Sequence, residues 1–72
     1  MALGVNIKRY RKRFGYSQQH LAHLTGIPQS LLWYYENDKK IPSAVNAYAL
    51  AKVFGITVEE LLLSEESKKL ET

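Results

Sequence analysis

A glycine and a proline two residues apart, Gly26 and Pro28, divide the stretch from Ser17 to Asn37 (SQQHLAHLTGIPQSLLWYYEN) into two segments too short to be stable helices alone. Within them Leu21, Ile27, Leu32 and Tyr35 fall on one side at helical spacing. Ala22 and Gly26 stand where bulk would hold two crossing helices apart. The pattern predicts a pair of short helices clamped through a shared apolar side. Gln29, Ser30, Tyr34 and Asn37 fall on the opposite face of the second helix, which has no reason to be buried. Whatever surrounds this pair must supply apolar cover behind it and leave its front open.

The flanking chain provides that cover in helices only. Leu3, Ile7, Tyr10 and Phe14 recur at helical spacing and predict a first helix over about 3–13, stopped by Gly15. Arg11 lies at the edge of that stripe, a position that calls for a carboxylate partner because a half-buried guanidinium is costly alone. Ser17 is placed to cap the second helix, which continues through Gln18, Leu21, Ala22 and Thr25. Gly26 tolerates the left-handed backbone of a tight turn. Pro28 suits the first turn of a third helix running from about Pro28 to Asn37, since its missing N–H is unpaired there in any case. Ser43 caps a fourth helix with Ala47, Leu50, Ala51 and Phe54 on its apolar face, joined by Tyr48, and Gly55 ends it. Thr57 and Glu60 have capping-box spacing and begin a short fifth helix with Val58, Leu61 and Leu62. No strand alternation, repeat or low-complexity run interrupts this series. The expected architecture is an all-α domain of five helices over 1–64, followed by a polar tail over 65–72.

Composition narrows the function classes. Seventy-two residues hold one small domain, and a chain of this size buries only about 60% of the surface its unfolded form exposes, so dimerisation would help it. The sequence contains no cysteine, which removes disulfides and thiolate metal sites and fits a reducing compartment. The N-terminal run MALGVNIKRYRKR lacks the apolar core of a secretion signal, and no segment reaches membrane-spanning length, so a cytoplasmic location is expected. The net charge of +3 is unevenly spread. Met1–Tyr16 carries five cations (Lys8, Arg9, Arg11, Lys12, Arg13) and no acid, whereas the chain from Thr57 onward sums to −3. A basic end and an acidic end predict that one side of the domain faces a polyanion.

With the elements in place, the stretch from Ile7 to Leu62 resembles the phage-repressor and Cro-like helix-turn-helix family, also called the XRE family. The resemblance is carried by YSQQHLA, the turn TGIP, the glutamate of YYEN, IPS before the fourth helix, LAKVFGI and TVEELL, in order and at matching spacing. It implies a lambda-repressor-like fold in which the third helix enters the major groove of double-stranded DNA. It also implies roles for single residues. Gln18 matches a glutamine that touches a phosphate and braces the start of the recognition helix. Gln29, Ser30 and Tyr34 match base-contacting positions. Arg11 and Glu36 match a pair bridging the first and third helices, and Asn37–Lys40 matches a loop that reaches the DNA backbone. Thr25, Pro28, Leu31, Trp33, Tyr34 and Asp38 depart from the family's usual residues.

The chemistry of these side chains fits such a partner. A glutamine at position 29 can donate and accept in parallel to the N6/N7 edge of adenine, a pairing worth roughly 1–3 kcal/mol of discrimination. Ser30 is small enough for close approach. Trp33 and Tyr34 neighbour the inward-facing Leu32 and Tyr35, so not all four can face the core, and one of the exposed rings can press a thymine methyl or lie along the sugar–phosphate wall. Lys39 and Lys40, with Arg9 or Arg13, are candidates to hold phosphates. His20 and His23 are one helical turn apart but lack an evident third ligand, so no metal is expected. No nucleophile turn marks an enzyme, and no cofactor or small-molecule effector is implied.

The reading is therefore a sequence-specific regulator of transcription, prokaryotic or phage-encoded and nucleoid-associated, repressing from a palindromic operator as a homodimer. Gln18, Gln29, Ser30, Trp33, Tyr34, Asn37, Lys39 and Lys40 form its expected DNA contacts, and Leu61, Leu62, Leu63 and Leu70 its expected dimer surface. The competing readings are an antitoxin that binds both DNA and a toxin protein, and a protein-docking module in which Leu31, Trp33 and Tyr34 form the patch.

Overall fold

The computed structural model describes residues 3–63, which form five helices: α1 Leu3–Arg13, α2 Gln18–Thr25, α3 Gln29–Glu36, α4 Ala44–Phe54 and α5 Val58–Leu62. The expected tail at 65–72 and Leu70 lie outside the described residues. Among the described residues there is no strand, and no helix is long and apolar enough to cross a membrane.

Local signals set most of the boundaries. The Ser17 hydroxyl accepts from the His20 amide at 3.0 Å, and that of Ser43 from the Asn46 amide at 3.2 Å. Thr57 and Glu60 complete the reciprocal capping box. α3 is one residue shorter at each end than the spacing predicts, because Pro28 and Asn37 stand as its caps.

One apolar core joins all five helices. Ile7, Leu21, Leu32, Leu50 and Leu61 are shut off from solvent completely, and Leu3, Ile27, Tyr35 and Phe54 surround them. α1 packs on α3, α4 and α5, and α2 packs on α3 and α4, so α3 has cover from two sides.

Four details correct the reading of the sequence. Phe14 leaves the inward stripe and is 47% exposed, because α1 ends at Arg13; its ring instead stacks on Tyr16 and Phe54. Tyr48 stays outside the apolar face of α4 and is exposed. Leu61 is a core residue, while Leu62 and Leu63 are half-buried. Gly26 is needed for its left-handed backbone (φ 76°), not for a close helix crossing, since a β-carbon added there would meet open space.

The close approach in this fold is at Gly4. A β-carbon there would lie 2.6 Å from the carbonyl oxygen of Tyr35 and 2.8 Å from that of Glu36. The first turn of α1 thus abuts the last turn of α3. A second tie is Asn6, buried, whose amide donates to the carbonyls of Leu61 and Leu63 and fastens α5 to α1.

Candidate nucleic-acid interface

The rear of α3 is anchored by packing and by a buried polar group. Leu32 and Tyr35 enter the core, and the Tyr35 hydroxyl accepts from the Asn46 side chain of α4 at 2.9 Å. Glu36, at the end of the helix, is buried and held by Arg11 through two bonds, Nε to Oε2 at 2.7 Å and Nη2 to Oε1 at 3.0 Å. The Arg11 Nη1 also donates to the Tyr16 carbonyl at 2.9 Å. One side chain therefore ties α1, the α1–α2 turn and α3 together. Such a fork-on-fork pair is directional, so it sets the orientation of α3 as well as its position.

Gln18 enlarges this network. Its Nε2 donates to Glu36 Oε1 at 3.3 Å, so its side chain meets the end of α3, where the resemblance implied a brace at its start. The start of α3 is organised by the turn before it. The Thr25 hydroxyl donates to the Leu21 carbonyl at 2.8 Å and accepts from the Ile27 amide at 3.2 Å. This pair of hydrogen bonds explains a polar residue at position 25: it closes the turn that an apolar side chain would leave unpaired. Pro28 then begins the helix without a side-chain cap.

With the rear fixed, the front of α3 faces outward. Gln29, Ser30, Trp33, Tyr34 and Asn37 are all exposed, as are Lys39 and Lys40, while Leu31 is half-buried against the core. The structure thus gathers seven of the eight expected contact residues on one helix face and the loop that follows it, and sets the eighth, Gln18, into the network behind. The loop folds back on the last turn of α3. The amides of Lys39 and Lys40 both donate to the Tyr34 carbonyl, at 2.8 and 3.4 Å, and Asn37 Nδ2 donates to the Trp33 carbonyl at 2.9 Å. The Lys40 ammonium stands 5.2 Å from the centre of the Tyr34 ring, and Trp33 meets that ring edge to face at 5.4 Å.

Asp38 makes the fold-back possible and was not singled out by spacing. Its backbone is left-handed (φ 56°), and its carboxylate accepts from the Gly4 amide at 3.2 Å. The usable signal was that aspartate tolerates this conformation better than most residues. Gly4 had a weaker one: a glycine within a helix costs about 1 kcal/mol against alanine and so calls for a packing reason.

The remaining cations divide. Lys8, Lys12 and Arg13 are exposed, with Arg13 over the Tyr10 ring at 5.2 Å, whereas Arg9 is half-buried and donates to Asn6 Oδ1 at 3.4 Å. His20 and His23 are exposed, and His20 rests against the edge of Tyr16. Among the described residues no three His, Asp or Glu side chains gather where they could hold a metal ion.

Comparison with known proteins agrees with this geometry. Residues 7–61 match the helix-turn-helix family. An HTH-type transcriptional regulator of Archaeoglobus fulgidus is 31% identical over 62 residues, which span 86% of this chain and 87% of that one. The N-terminal DNA-binding domain of SinR from Bacillus subtilis superposes with a TM-score of 0.83 at 32% identity, over 89% of this chain and 94% of that domain. A chain of the SinR protein/SinI protein complex gives a TM-score of 0.80 at 33% identity, over 96% of this chain and 74% of that one. The Arg11–Glu36 brace, an outward-facing α3 and these likenesses over nearly the whole domain lead to one assignment: the chain belongs to the helix-turn-helix family of transcriptional regulators, in its phage-repressor and Cro-like (XRE) branch.

Proposed function

We propose that this protein is a sequence-specific, double-stranded DNA-binding repressor that acts as a homodimer on a palindromic operator. The observation that carries the reading is the two-sided character of α3: Leu32, Tyr35 and Glu36 are buried, while Gln29, Ser30 and Tyr34 are exposed on the other side. In this reading Gln29 and Ser30 approach base edges, and Gln29 pairs with adenine. Asn37, Lys39 and Lys40 follow the sugar–phosphate backbone, where they set register and carry no sequence information. Gln18, fastened to Glu36, reaches a phosphate from the start of α2. Trp33 and Tyr34 form the apolar part of the contact.

Two-fold symmetry places two α3 helices one DNA turn apart, roughly 34–36 Å. Burial of Leu61 weakens the expected leucine pairing surface. A better one is the apolar patch made by the exposed side of α4, where Val45 is 76% and Tyr48 60% exposed, together with Ile41 of the preceding loop, 76% exposed. The occupant is a second copy of the chain: the patch begins beside Lys40, so pairing across it leaves the Lys39–Lys40 loops of both copies flanking a single duplex.

The test is a fluorescence titration of random duplex DNA at two salt concentrations, followed by selection of sites from a random duplex pool. Affinity should fall with a log–log slope of about −0.9 per phosphate contacted, and the selected sites should show two related half-sites. Absent or salt-independent binding would overturn the reading in favour of protein docking.

A further inference from the structure

The front of α3 is more aromatic than a surface of hydrogen-bonding residues requires, and its rings are held in place. At about 100° per residue, Ser30 lies opposite the buried side, flanked by Trp33 on one hand and Tyr34 on the other. Trp33 and Tyr34 are 45% and 41% exposed, and the core closes around Leu32 and Tyr35 without them. The two rings meet at an interplanar angle of 83°, Lys40 stands over Tyr34, and the carbonyl of each ring residue accepts bonds from the loop that follows. Tyr34 is thus supported by a ring, by an ammonium and by a pinned backbone. An aromatic side chain so placed loses little freedom when it is covered.

We propose that Tyr34, steadied by Trp33 and Lys40, reads the C5-methyl group of a thymine in the major groove, so that the chain distinguishes thymine from its demethylated counterpart at one position of each half-site. The proposal rests on the DNA-binding reading above and deepens it. The thymine methyl is the one apolar feature on the major-groove edges of the four base pairs. A hydrogen-bonding side chain gains little from it, whereas a fixed ring removes it from water. Gln29 and Ser30 then supply the polar half of the readout, and Tyr34 the apolar half.

The experiment takes a duplex site selected from a random pool and replaces each thymine singly by deoxyuridine, which removes the methyl and keeps the base-pairing edge. Binding is measured for the wild-type protein and for Tyr34→Phe and Tyr34→Ala. One position per half-site should weaken wild-type binding about fourfold, the factor that burial of one methyl corresponds to. Tyr34→Phe should keep that sensitivity, because the ring and not the hydroxyl carries it. Tyr34→Ala should lose it while still binding in a salt-dependent way. Placing 5-methylcytosine for cytosine at that position should recover a similar factor. If wild-type binding ignores every deoxyuridine, or Tyr34→Ala remains as sensitive as wild type, the inference is overturned and the DNA-binding reading stands. Failure of the wild-type protein to bind any duplex removes both, and makes the Trp33–Tyr34 pair a protein-docking patch. A thermal melt of Tyr34→Ala guards the comparison; should that variant be unfolded, the outcome is decided by Tyr34→Ser together with the wild-type deoxyuridine scan.

Discussion

The carboxylate of Asp38 accepts a hydrogen bond from the amide of Gly4 across 34 positions of sequence, and by doing so joins the first turn of α1 to the residue that turns the chain out of α3. The bond satisfies an amide at a helix start, where the first four N–H groups have no partner within the helix. It also fixes the left-handed residue from which the Lys39–Lys40 loop folds back. The position of the exposed loop therefore depends on the opposite end of the chain.

Gly4→Ala tests that junction. The added methyl would sit 2.6 Å from the Tyr35 carbonyl oxygen and from Asp38 Oδ1, two of its three neighbours being backbone atoms. Alanine favours a helix by up to about 1 kcal/mol, yet overpacking of this kind costs about 1–3 kcal/mol. The expected net result is a loss of stability, read by urea denaturation. A variant as stable as wild type would mean that α1 and α3 separate without penalty.

Removal of the Glu36 carboxylate should cost more than loss of one surface ion pair. Its side chain is 2% exposed and that of Arg11 13%, and Glu36→Ala leaves the guanidinium and the Gln18 amide facing an empty site. The expected destabilisation is about 3 kcal/mol, at the low end for a broken buried pair because Arg11 keeps some solvent and its bond to Tyr16. A denaturation cycle with Arg11→Ala and the double variant should show non-additivity. Strictly additive losses would show that the two residues act separately.

Gln29→Ala and Lys39→Ala should fail in different ways. The first should shift base preference in a selection from random duplexes, at nearly unchanged salt dependence. The second should weaken all duplexes alike and lower the salt slope by about one. If both variants lose specificity equally, the division between base-reading helix and backbone-reading loop is wrong.

Val45→Asp addresses the pairing surface. A charge in the middle of the Ile41–Val45–Tyr48 patch leaves the core untouched, since Val45 is 76% exposed. The melting temperature should change little, while cooperative occupation of two half-sites is lost and single half-site binding persists. Gel-shift titration on one- and two-half-site duplexes reads both. Undiminished cooperativity would move the dimer contact elsewhere.

Much of this molecule was legible before its coordinates. Ser17, Ser43 and the Thr57–Glu60 box act on amides three residues away, and Gly26 and Gly55 on their own backbone angles, so helix ends follow from neighbours in the chain. Periodicity placed Leu21, Leu32 and Leu50 inside, because a helix repeats its facing every three to four residues. The open front of α3 followed from the same periodicity. The Arg11–Glu36 pair came from a resemblance and from the cost of an unpaired guanidinium, and the structure bears it out.

What the sequence by itself determined is therefore the set of five helices, most of their inward stripes (Phe14 and Tyr48 excepted) and the open front of α3. Tertiary structure alone decided how they close on one another. Asn6 finds the carbonyl of Leu61 across 55 positions, Gly4 makes room for the end of α3, Gln18 settles on Glu36, and Phe14 slips outside the core as α1 ends beneath it. The physical reason is range. Capping and periodicity are satisfied within one or two turns of the same helix, whereas these contacts exist only after distant segments have packed, and no local pattern records which carbonyl will then be within reach.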